Sequence, residues 1–310
     1  MFGLIKILSL YFSLSGQGRR LFRRLRKMVQ DAKKMPHYQG MMASIKETMS
    51  ADEQRWFACI RASDRAFKTF IPAWYVAQSK VKPEQLYYRF FKMGAILLYE
   101  HLCLLAAYNI AVDFKAQERC LLFAFLKRVY DDLMDNDRID QQVLFSQDPH
   151  PKLLGNADYR LLLELRKKIR EIVPADKFPH YYGLLEKVNH AQGQVAGIPY
   201  KIKNGFLLDM YIMKDDLPPA LIETMDLTAE FFAFLDDFYD YDQDVAQGKI
   251  TYINQSLNPQ KALEDKFAQT AARLKEYSPN PAGYLKGMGN LMQNVIFTRQ
   301  SKLNKLSLFI

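Results

Sequence analysis

Residues 218–245 read PPALIETMDLTAEFFAFLDDFYDYDQDV. Two prolines open the segment, apolar residues then recur every three or four positions, and the run closes on a set of aspartates. That is the pattern of one long buried helix. Residues 84–110 (EQLYYRFFKMGAILLYEHLCLLAAYNI) repeat it at similar length. Helices of this length are too long for two small domains, so the 310-residue chain reads as one all-α domain with long central helices. Further helices are expected near 38–48, 51–70, 115–137, 157–172, 177–196, 204–214, 259–277 and 281–305. The breaks between them fall where Pro and Gly sit, and no stretch shows the period-two alternation of a strand.

Composition narrows the function classes. Hydrophobic residues are 49% and charged residues 25% of the chain, which suits a globular protein with a large core and excludes disorder. The three cysteines, Cys59, Cys103 and Cys120, are odd in number and widely spaced in apolar surroundings. They read as reduced core thiols and imply a cytoplasmic address. The net charge of +9 is localised: residues 1–35 hold nine Lys and Arg against Asp31 alone. The body is close to neutral, which speaks against nucleic acid as a partner. Residues 1–14 are apolar but too short to span a bilayer, and the dense charge follows them instead of preceding them. Residues 1–35 are therefore read as a basic amphipathic arm, and residues 36–310 as the helical catalytic domain. The arm suits peripheral contact with an anionic surface, such as the inner face of the membrane, or packing on the domain with a solvated basic face.

The chemistry is carried by a motif that occurs twice. Asp131-Asp132-Leu133-Met134-Asp135 and Asp236-Asp237-Phe238-Tyr239-Asp240 both have the spacing DDxxD, each at the C-terminal end of an apolar helix. Residues four apart project about 40° from one another, so Asp131 pairs with Asp135, and Asp236, Asp240 and Asp244 form a stripe. Like charges at that spacing repel and aspartate is a poor helix former, so neither cluster helps the fold. Magnesium takes one or two carboxylates and completes its shell with waters and phosphate oxygens. Two such clusters on facing helices would hold Mg2+ against a diphosphate. An EF-hand reading fails for want of the turn glycine and closing glutamate.

DDLMDND at 131–137 and DDFYDYDQDVAQGKITY at 236–252 resemble the two aspartate-rich motifs of class I isoprenoid synthases, the superfamily of trans-prenyl diphosphate synthases and terpene synthases. The resemblance covers roughly residues 84–305. It implies a single helical bundle around a deep apolar cavity, with Asp131, Asp132, Asp135, Asp236, Asp237, Asp240 and Asp244 holding magnesium at its mouth. It further implies a prenyl diphosphate substrate, with Lys214, Lys249 and Arg138 on the diphosphate, and it is compatible with a homodimer. Gln192-Gly193-Gln194 is similar to the helix break that lines the cavity, and His190 is placed near it. Chain-elongating members need a second basic site, built from a GGKR-type motif upstream and paired arginines downstream. Here Arg89 and Lys92 lie upstream and Arg138 stands alone downstream. The second motif looks more similar to the tetraprenyl-curcumene type of terpene synthase. The preferred expectation is ionisation followed by cyclisation or elimination. Elongation and a non-catalytic membrane-associated homologue are the alternatives.

Overall fold

The computed structural model describes residues 51–79, 83–135, 137–146, 148–190, 198–246, 248, 251 and 253–306. The expected arm at 1–35 and helix at 38–48 lie outside the described residues. Twelve α-helices and one 3-10 turn are present among the described residues, with no strand. They are α1 Ala51–Phe70, α2 Ala73–Gln78, α3 Pro83–Ala107, α4 Phe114–Asp135, α5 Gln141–Phe145, α6 Ala157–Ile172, α7 Phe178–His190, α8 Ile198–Met213, α9 Pro219–Tyr239, α10 Tyr241–Ala246, α11 Pro259–Tyr277 and α12 Ala282–Leu306. The all-α expectation holds. The chain forms two compact units, one of residues 62–289 and one of residues 1–61 with 290–310.

Within the larger unit, α8 packs broadly on α4, on α9 and on α7, while α6 packs on α4 and α11 on α9. α3 lies against α4 and α8. Most of Arg89–Ala107 in α3 is long and apolar enough to cross a bilayer, yet 69% of that window is buried inside the protein. It is a core helix. Its contact with α4 is unusually close at Gly94, where an added Cβ would lie 2.9 Å from both Leu121 Cδ2 and Ser63 Oγ and 3.1 Å from Phe125 Cε1.

Three boundaries differ from expectation, each for a local reason. α3 stops at Ala107 because Asn109 takes φ +58° and the Ile110 N–H reaches back to the Leu105 carbonyl, closing the helix in a Schellman turn. α8 begins at Ile198 because Pro199 falls in its first turn, where a missing N–H costs nothing. The helix expected over 218–245 breaks at Asp240, which has φ −94° and ψ 6°, and resumes as α10.

Gly94→Ala should lower stability by about 1–3 kcal/mol, since overpacking outweighs the helix propensity gained. A drop in the thermal midpoint of several degrees checks this.

Candidate functional site

Helix direction decides where the aspartates emerge. Arg119 Nη2 donates to the Ile212 carbonyl at 3.4 Å and Lys127 Nζ to Asp209 at 2.6 Å, so α4 ascends as α8 descends. α9 is joined to α8 by the short link 214–218 and packs broadly against it, so it folds back along α8. Both α4 and α9 are thus antiparallel to α8. Their C-terminal ends, and the two aspartate motifs with them, come out at one end of the bundle.

At the first motif Asp131 is half-buried and Asp132 is buried. Asp132 accepts a fork from Arg128, with Nη2 at 2.8 Å and Nε at 3.1 Å, and pairs with Arg89 of α3. Two guanidinium groups thus share the Asp132 carboxylate, and the charge of Asp158 also acts on Arg89. Burial, and then the neighbouring Arg128, push the Arg89 guanidinium below its ordinary pKa. Asp135 ends α4, and the chain turns sharply after it: Arg138 takes φ +52°, and the Ile139 N–H bonds the Leu133 carbonyl. Arg138 itself is exposed. Carboxylates in a last helical turn face the negative end of the macrodipole, an arrangement that costs about 0.3–1 kcal/mol each and that a bound cation relieves.

At the second motif Asp236 is exposed, Asp237 and Asp244 are buried, and Asp240 is half-buried. The Asp240 N–H bonds the Asp236 carbonyl and the Asp244 N–H bonds that of Asp240, so the stripe survives the break in the helix. Gly248 follows at φ +65°, a left-handed turn that favours glycine. Lys249 and Gln192 to Gln194 lie outside the described residues, as do the side chains of Asp135, Lys92 and His190. Lys214 is exposed, just past the end of α8 that lies beside Arg119. Arg119 precedes Asp131 by twelve residues, about 18 Å of helix rise, so Lys214 is not brought to the first motif.

The donor chemistry fits magnesium. Carboxylate oxygens are what the ion takes, and one or two from each motif suffice when phosphate and water complete the shell. Among the described residues no three His, Cys, Asp or Glu side chains are grouped to hold one ion by themselves.

Three features escaped the sequence reading. Arg128 had a signal in its i,i+4 spacing to Asp132. Asp209 and its partners His101 and Lys127 had none, being brought together across separations of 108 and 82 residues. Glu100 had none either. Burial pushes its carboxyl up to about 7, and burial together with Glu100 raises the neighbouring Tyr284.

No protein-family model matches the chain, and no curated protein is significantly similar to it. Among solved structures, a geranyltransferase from Legionella pneumophila is similar at a TM-score of 0.46 and 10% identity, over 80% of this chain and 100% of that one.

Because the folded pKa of Glu100 lies above the unfolded value, native protein holds a proton that the unfolded chain loses between about pH 4.5 and 7, and stability falls as pH rises through that window. Glu100→Gln should therefore raise stability at pH 8 by up to about 3 kcal/mol and have little effect at pH 4. Thermal melts of both proteins across this range measure it.

Proposed function

We propose that this protein is a magnesium-dependent enzyme of the class I isoprenoid synthase type, which ionises a prenyl diphosphate. The observation that carries the reading is the emergence of both aspartate motifs at one end of the bundle, each on a helix antiparallel to α8. Asp131 and Asp135 from α4, with Asp236, Asp240 and Asp244 from α9 and α10, would hold the metal. Magnesium bound there supplies charge against the departing diphosphate. The bundle below the motifs is apolar and rich in buried rings, including Phe90, Phe123, Phe125 and Phe231. It would shield a cation from water and face it with aromatic surfaces. Cyclisation or elimination is the preferred outcome, since no GGKR-type motif lies upstream of the first cluster.

A second reading, chain elongation, is favoured by one specific observation. Arg89 and Arg128 bring two guanidinium groups beside the first motif, where a second diphosphate would be accepted. Purified protein with Mg2+ and geranyl, farnesyl, geranylgeranyl and longer prenyl diphosphates, each with and without isopentenyl diphosphate, separates the readings by mass spectrometry. Hydrocarbon or alcohol formed without the extra substrate supports the first. A longer diphosphate formed only with it supports the second, and no turnover of any substrate refutes both.

Asp131→Asn and Asp236→Asn should each lower kcat by at least about 100-fold with helix content unchanged in circular dichroism.

A further inference from the structure

Beneath the aspartate end, α3, α4 and α8 meet around a second group of ionisable side chains. Asp209 of α8 has no exposed surface, and its Oδ2 accepts from His101 Nε2 of α3 at 2.9 Å and from Lys127 Nζ of α4 at 2.6 Å. Burial alone would raise the Asp209 carboxyl, but Lys127 and His101 outweigh it and hold it below its ordinary value. An ionised carboxylate only accepts, so Nε2 carries the hydrogen and Nδ1 is the ring nitrogen turned away from Asp209. His101 is 1% exposed, and Nδ1 has no hydrogen-bond partner among the described residues. The ring stands edge-on to Phe206 at 4.9 Å, which in turn packs on Phe232.

A histidine serving only to tie helices together would ordinarily have both nitrogens satisfied. Here one nitrogen is fixed by a carboxylate and the other is free in an apolar interior, the arrangement that makes imidazole an effective base. Depth is also suitable. Lys127 precedes Asp131 by one helical turn, about 6 Å of rise, so the group lies below the motif that would hold the diphosphate.

We infer that His101, oriented by Asp209, is the base that removes a proton from the substrate cation; the inference rests on the prenyl diphosphate reading above. The allylic C–O bond breaks and its electron pair leaves with the diphosphate. A C–H bond beside the cationic carbon then breaks, its electron pair becomes the new C=C bond, and the proton passes to Nδ1. Asp209 stabilises the resulting imidazolium, and release of the proton to water restores the site. Asp209 acts through His101 and is a positioning residue.

His101→Gln tests this, because the glutamine amide can still donate to Asp209 but offers no basic nitrogen. Diphosphate release and organic product are measured in the same incubation of full-length protein with Mg2+ and the accepted prenyl diphosphate, beside a thermal melt. The expected result is retained diphosphate release with deprotonated product per diphosphate lowered about 100-fold, replaced by alcohol from water capture. An unchanged product ratio overturns the inference while leaving the diphosphate reading intact. Wild-type protein that releases no diphosphate from any prenyl diphosphate overturns both. Should His101→Gln melt below the assay temperature, Asp209→Asn carries the same readout: a shifted product ratio supports the assignment and an unshifted one overturns it.

Discussion

The carboxylate of Asp209 constrains the bundle more than any other group in it. A negative charge with no exposed surface is tolerated only with a compensating charge and good hydrogen bonds, and its partners come from two other helices. Apolar packing alone permits helices to slide by a turn. The pairing with His101 and Lys127 fixes the axial register of α3 and α4 on α8. Since the aspartate motif of α4 lies one turn beyond Lys127, that register also sets the height at which it emerges. The position of the first metal-binding candidate therefore depends on an ion pair in the interior.

Several helices were legible in the residues to their ends. Periodicity with Pro and Gly punctuation marked α1, α6 and α11 at their observed ends, because such helices begin at local signals such as Asn156 and Asn258, whose side chains cap the following turns. α9 was legible in type and wrong in length. The aspartates that marked it as a site are also the residues that interrupt it at Asp240. α2 and α5, of six and five residues, are too short for a hydrophobic period to register.

The site divides in the same way. Aspartates repeated at helical spacing are a local pattern, so both motifs could be read directly. Their meeting at one end of the bundle follows from helix direction, which no local pattern states. Arg89 stood out as an upstream basic residue, but its pairing with Asp132 depends on the antiparallel packing of α3 on α4. The Lys214 reading came from resemblance, and the course of α8 carries that residue to the opposite end of α4 from the motif.

The end of α3 has a kinetic consequence. The Ala107 carbonyl accepts from Ser278 Oγ at 2.9 Å and from the Asn280 N–H at 3.0 Å, across 171 residues of chain in the first case. Closing a loop that long costs conformational entropy before any contact rewards it. The short α8–α9 hairpin forms without that handicap, whereas the junction at Ala107 has to wait until the intervening helices have collapsed. The helical unit is thus zipped locally first and joined between α3 and the α11–α12 turn late, with residues 278–280 acting as the clasp.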